Sequence, residues 1–215
     1  MRFNSLVPSM VGVAAAVAVA GSANAGVVDP FTTAEPFSRN SGDWLPISGA
    51  LFNERDAIRT NGSSGSFDNL GNLIFTAASG FNFLGLNYQM SGGATKDLSS
   101  IAAMSIALSG LNTSGAATGI AFNLYMADET EKFLSTIQTL SADGVSTFNF
   151  ASATVDAGFD LTKVKTMTLD IYYAGAGAGS SSGTLSNFSY TAVPAPGALA
   201  LLGAAGLFGA RRRRA

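Results

Sequence analysis

Lys165-Thr166-Met167-Thr168-Leu169-Asp170-Ile171-Tyr172-Tyr173 is the stretch whose reading decides the fold. Lys165, Met167, Leu169, Ile171 and Tyr173 alternate with Thr166, Thr168, Asp170 and Tyr172. In an extended chain successive side chains point to opposite faces, so this period of two turns an apolar set toward a core and a more polar set outward. Working outward, the same period recurs. Ile120, Phe122, Leu124 and Met126 alternate with Ala121, Asn123 and Tyr125; Met104, Ile106 and Leu108 repeat it, as do Leu84, Leu86 and Tyr88, and Phe148 with Phe150. Leu73-Ile74-Phe75 and Phe188-Ser189-Tyr190 are shorter candidates.

Between the runs lie Asn61-Gly62-Ser63-Ser64-Gly65, Ser91-Gly92-Gly93, Asn112-Thr113-Ser114-Gly115, Asp143-Gly144 and the stretch from Gly175 to Gly183. Gly, Asn and Asp accept the positive φ angles of tight turns, so these segments read as turns, and the Gly-Ala-Gly-Ala-Gly run as a flexible hairpin tip. Ala127 to Leu134, with Asp128, Glu129 and Glu131, fits an acidic hairpin loop or a short helix, the loop being preferred. Strands at near-regular spacing without a βαβ rhythm predict an all-β fold, an antiparallel β-sandwich spanning 26–192.

The chain has 215 residues, enough for one domain with a proper core. It contains no cysteine and no histidine, which removes disulfides, thiolate metal sites, cysteine nucleophiles and the commonest general base. Of the 12 basic residues, Arg2 and Arg211, Arg212, Arg213 and Arg214 lie at the extremities, leaving seven against all 14 acids, which fall between Asp29 and Asp170. That balance argues against nucleic acid as a partner.

Each end carries its own pattern. Residues 1–25 begin with Arg2, continue through an apolar stretch from Met10 to Ala20 and close on Ala23-Asn24-Ala25, the plan of a signal peptide cut by signal peptidase after Ala25. Residues 193–215 read Val193-Pro194-Ala195-Pro196-Gly197, then a charge-free segment from Ala198 to Ala210, then the four arginines. A hydrophobic helix followed by a basic cluster stops export in the inner membrane, with the main domain outside.

This tail resembles the sorting tail of the PEP-CTERM family, in which a Pro-Glu-Pro signature precedes a hydrophobic helix and a basic cluster. Pro194 and Pro196 match, and Ala195 stands where the family has Glu. The resemblance implies processing by the membrane protease exosortase, a transient C-terminal membrane anchor, and delivery to the cell envelope, the surface or the extracellular matrix. The middle also resembles the jelly-roll, carbohydrate-binding-module-like ectodomains that precede such tails. The likeness lies in Asn53-Glu54-Arg55-Asp56 leading into Ala57-Ile58-Arg59, in Asp97-Leu98-Ser99, in Asp160-Leu161-Thr162 and in Leu185-Ser186-Asn187-Phe188. It implies extracellular polysaccharide as a partner and, in related sandwiches, a structural calcium near the first strand, for which Asp29 is the candidate.

The residues themselves offer three sets of candidates. Trp44, Tyr88, Tyr125, Tyr172 and Tyr173 can present a flat face to a sugar ring, and two exposed aromatics on one face would favour that over core packing. Asp128, Glu129 and Glu131, with Asp143, can gather oxygens around calcium or form a solvated acidic turn. Glu54 and Asp56 share one side of an extended stretch, as a hydrolytic carboxylate pair or as ion-pair partners of Arg55, Arg39 or Arg59. With no catalytic set and no cofactor motif, the expectation is a non-enzymatic exported protein that binds or packs with extracellular polysaccharide. The alternatives are a structural or adhesive biofilm component without a specific ligand and, third, a polysaccharide hydrolase.

Overall fold

Two strands of unusual length organise the molecule: β7 (Ile101–Asp128, 28 residues) and β11 (Val164–Ala192, 29 residues), paired antiparallel almost end to end. The computed structural model describes residues 25–38, 42–68, 70–80 and 82–193. The leader through Asn24, and the tail with Pro194, Ala195, Pro196, the segment expected to form a hydrophobic helix and Arg211–Arg214, lie outside the described residues.

A straight strand of that length would reach about 90 Å, several times the ~15 Å radius of gyration of a domain this size. The pair therefore folds over. Tyr88 belongs to β6 (Phe83–Gln89) and lies opposite Met167, yet its ring stands 6.1 Å from that of Phe188, far along the same β11. The halves of β7 and β11 thus sit in two facing layers.

In the first layer the order is β10 (Thr154–Val155), β8 (Phe133–Leu140), the second half of β7, the first half of β11, β6, β3 (Glu54–Arg59) and β2 (Leu45–Pro46). The second layer holds β9 (Gly144–Asn149), the first half of β7, the second half of β11, then β5 (Asn72–Ala78) followed by β4 (Ser64–Phe67). There β1 (Ala25–Asp29) extends the β5 edge of β11. The strands named above all pair antiparallel, with one isolated parallel bridge between Ser38 and Ile58, so the predicted antiparallel sandwich is the fold.

The alternating runs supply the core as their parity predicts. Ile120, Phe122, Leu124, Met126, Met167, Leu169 and Ile171 line the inner face of the first layer, and Met104, Ile106, Leu108, Phe148, Leu73, Phe75 and Leu185 that of the second, all buried. Burying each such side chain contributes roughly 1.5–3 kcal/mol. The acidic segment after Asp128 is a hairpin turn into β8 rather than a helix.

Two of the glycine-rich runs expected to be turns are not loops. Asn112–Gly115 lies within β7 and Gly175–Gly183 within β11, paired with each other where the strands cross between layers. A Cβ on Gly115 would stand 2.3 Å from the Ala178 carbonyl oxygen, and one on Gly179 would stand 2.2 Å from that of Ser114. Glycine is there because two backbones approach closely at a bulged bend, a use of the residue that composition does not separate from a turn.

Candidate functional site

Parity along β11 sends Thr166, Thr168, Asp170 and Tyr172 away from the core, and register gathers their neighbours into rows across the outer face of the first layer. Thr168 lies between Tyr125 on β7 and Asn87 on β6, with Ser135 and Asp56 beyond. Asp170 lies between Asn123 and Gly85, with Ile137 and Ile58 beyond. Tyr172 lies between Ala121 and Phe83. Thr166 lies between Ala127 and Gln89, with Phe133 and Glu54 beyond.

Accessibility falls toward the middle of this face. Ile137 is 68% exposed and Phe133 44% at β8, whereas Thr168 is 5% and Asp170 7% exposed on β11. The face is therefore a trough whose floor is β11 and β6. Gly85 helps to open it: a Cβ there would stand 2.8 Å from Ile58 Cγ1 and 3.0 Å from Asp170 Oδ1.

Two aromatic pairs flank the floor on a diagonal. Tyr125 meets Phe133 at 6.5 Å between ring centroids, and Tyr172 meets Phe83 at 5.6 Å, both tilted. Tyr125 and Tyr172 are each half-buried, and four residues of strand place them about 14 Å apart. Between them the floor is polar. Thr168 Oγ1 donates to Asn87 Oδ1 at 2.9 Å, leaving the Asn87 amide N–H groups for another partner, and Tyr172 Oη donates to Asp170 Oδ2 at 3.1 Å. Among the described residues, Asn123 Oδ1 and Asp56 Oδ1 are buried with no hydrogen-bond partner. An orphaned buried oxygen costs about 1–3 kcal/mol, so such atoms mark places where a ligand or water completes the bonding. Burial pushes Asp170 up to about 6, against the pull of the Tyr172 hydrogen bond, and burial likewise raises the Tyr172 hydroxyl well above its ordinary range, with the Asp170 carboxylate beside it adding to the shift.

Of the other sugar-platform candidates, Tyr88 is corrected. It is fully buried between the layers, its hydroxyl donating to Asp29 Oδ2 at 2.9 Å, and it offers no face. Its parity with Leu84 and Leu86 already placed it inward. Trp44 is half-buried beside the β3 edge, lining a hollow with Glu35, Pro36, Gly42, Asp43 and Leu45, and the register does not bring it to the tyrosine pair. Tyr173 turns to the other side of β11 and donates to the Gly177 carbonyl at 2.9 Å.

The acidic candidates disperse. Asp29 accepts from Phe31 N at 2.8 Å on one oxygen, and from Arg55 at 2.7 Å and Tyr88 on the other, so a guanidinium occupies the place of a cation there. Asp128 fastens its own turn: Oδ1 accepts from Thr130 N, Thr130 Oγ1 and Lys132 N, and Oδ2 from Asp160 N. Although its desolvation works the other way, those bonds hold its carboxyl down at about 2. Glu129 pairs with Lys163, Glu131 adopts a positive φ of 59° in the turn, and Asp143 caps Gly110 N and Leu111 N at the opposite end of β8. Among the described residues no three acidic, histidine or cysteine side chains gather as a metal site.

Glu54 and Asp56 do share the outer side of β3, but Glu54 accepts from Gln89 and Asp56 is fully buried under Gly42, whose N–H donates to it at 2.8 Å. Arg55 points the opposite way and pairs with Asp29 and with Glu35 at 2.9 Å, its Cζ 3.8 Å from the Phe67 ring centroid. This buried cluster, which also takes the Thr33 carbonyl at 2.7 Å, ties the first strand to the sheet. Its partners lie 26 and 20 residues away from Arg55, beyond any local sequence signal.

No family model matches the sequence, and no curated protein matches it. Several solved structures are similar. One is the family 30 carbohydrate-binding module of a cellulosomal cellulase of Clostridium thermocellum, 12% identical over 78% of this chain and 98% of that one, with a TM-score of 0.42. Another is a family 11 carbohydrate-binding module from Clostridium thermocellum in complex with a β-1,3-1,4-mixed-linked tetrasaccharide, 13% identical over 70% of this chain and 95% of that one, TM-score 0.40. A third is an agarase, 12% identical over 64% of this chain and 24% of the agarase, TM-score 0.43, so this chain spans about a quarter of that enzyme.

Proposed function

We propose that this chain is an exported, non-enzymatic domain that binds extracellular polysaccharide along the trough of its first layer. The observation that carries the reading is the placement of Tyr125 and Tyr172 on one face, with Asp170, Asn123, Asn87 and Thr168 between them. Aromatic rings stack on the C–H faces of sugars while an amide and carboxylate floor exchanges hydrogen bonds with hydroxyls. The spacing of the two tyrosine positions along the face suits a chain of several sugars rather than a single one. The test is retention of the protein by a panel of immobilised polysaccharides. Tyr125→Ala and Tyr172→Ala are each expected to weaken binding at least tenfold while the thermal unfolding profile is kept, and unchanged retention in both would end the reading.

Export and sorting rest on the two terminal patterns. Intact-mass measurement of the protein from the envelope is expected to give a chain that begins at Gly26 and has been cut within the tail 193–215; a mass running from Met1 to Ala215 would overturn it.

A second reading, packing within a matrix, draws on the other layer. The outward positions of its strands hold Ser64, Ser66, Thr76, Ile74, Ser105, Ala107, Thr184, Ser186, Val145 and Thr147, without a charge. Concentration-dependent self-association in sedimentation velocity, lost on Ile74→Lys with Val145→Lys, is its test.

A further inference from the structure

Resting on the binding role just proposed, we infer that Asp170 makes the trough selective for uncharged polysaccharide, accepting hydrogen bonds from neutral sugar hydroxyls and repelling uronate and sulfate groups. The inference begins with what surrounds the carboxylate. From its own strand comes Tyr172, whose hydroxyl donates to one oxygen. From β6 come Gly85 and Asn87, from β7 Asn123 with Tyr125 one row away, and from β3 beyond them Ile58 and Asp56. None of these is basic. The rows that build the trough hold three carboxylates, Glu54, Asp56 and Asp170, and neither lysine nor arginine.

A buried carboxylate is ordinarily paired, as Asp29 is with Arg55 in this same molecule. Asp170 is 7% exposed with no cation opposite it among the described residues, and burial raises it to about 6, so at neutral pH the fold holds a charge it disfavours. Asparagine at that position would keep an acceptor for the Tyr172 hydroxyl without the charge, so the fold does not need the ion. The use it does fit is recognition. A carboxylate accepts from two adjacent hydroxyls at once, and the orphaned Asn123 Oδ1 in the neighbouring strand adds a further acceptor. The same charge, with Asp56 and Glu54 of like sign on β3, two strands away, repels an anionic polymer in a partly desolvated trough where screening is weak. The discrimination is built by repulsion as much as by attraction.

The experiment is affinity electrophoresis of the mature chain in gels containing hydroxyethyl cellulose, galactomannan, agarose or xylan as neutral polymers, and alginate, polygalacturonate or carrageenan as anionic ones, at about pH 7.5 and about pH 5. The wild type is expected to be retarded by one or more neutral polymers and by no anionic one at the higher pH. Asp170→Asn is expected to raise affinity for the anionic polymers at least tenfold at that pH and to abolish the difference between the two pH values. Tyr172→Ala is expected to lose neutral retardation. If the tyrosine variant loses binding while Asp170→Asn keeps the wild-type selectivity, the inference fails and the binding role stands. Wild-type retardation by anionic polymers equal to that by neutral ones also overturns the inference. Retardation by no polymer of either class overturns the binding role itself.

Discussion

Replacing Asp170 by asparagine is expected to stabilise the protein, and to do so only where the carboxylate is ionised. The carboxyl lies at about 6 in the folded chain against an ordinary 3.8, because burial disfavours the charge. A folded value raised above the unfolded one means that the folded state binds the proton more tightly, so stability falls as pH rises from 3.8 through about 6 and then levels. The gap corresponds to about 3 kcal/mol at neutral pH as an upper figure. Asparagine is nearly isosteric and its carbonyl keeps the Tyr172 hydrogen bond, so little is lost against that gain. For a domain of this size the change is worth roughly 5–12 °C in Tm. Thermal unfolding followed by circular dichroism from about pH 3 to pH 8 gives the assay. The wild type and the variant are expected to melt together at the acid end and to separate through pH 6 in favour of the variant. A constant difference across the range, or a variant less stable at neutral pH, would refute the argument that Asp170 is an unpaired buried charge.

Other consequences follow from the same geometry. Arg55→Ala leaves Asp29 and Glu35 buried without their cation and is expected to cost about 3–5 kcal/mol in a urea titration, while conserving the fold at low temperature. Gly179→Ala drives a methyl group into the Ser114 carbonyl and should lower Tm by several degrees, whereas Gly144→Ala, with open space around it, should not. Asp128→Ala removes the acceptor shared by Thr130, Lys132 and Asp160, so hydrogen exchange at those three amides should accelerate while β6 stays protected. Because that carboxyl is held at about 2, below its ordinary 3.8, its contribution is present above 3.8 and lost as pH falls toward 2.

Period two made the sandwich legible, since apolar parity in the runs around Leu124 and Leu169 named the inner faces, and the opposite parity placed Tyr125 and Tyr172 outward. Asp170 shares the parity of Tyr172 and was available to the same argument, but only the cross-strand register shows that Asn123 and Gly85 flank it and that it is buried. The long strands were hidden because Gly175–Gly183 has the composition of a turn, and only the partner strand reveals that the glycines admit a backbone. The acidic residues looked like a cluster because they are near in sequence; β8, eight residues long, separates Asp128 from Asp143 in space. Arg55 could not be paired from sequence since its partners come from segments that fold back over β3.

The central claim is that a glycan lies across the outer face of the first layer, between Tyr125 and Tyr172. Titrating an isotopically labelled ectodomain with an oligosaccharide of whichever polymer it retains, and following amide chemical shifts, tests this most directly. The account predicts perturbations at Asn87, Asn123, Tyr125, Thr168, Asp170 and Tyr172, with the outward residues of β4, β5 and β9 unmoved. Perturbations confined to β4, β5 and β9, or to the hollow beside Trp44, would contradict it.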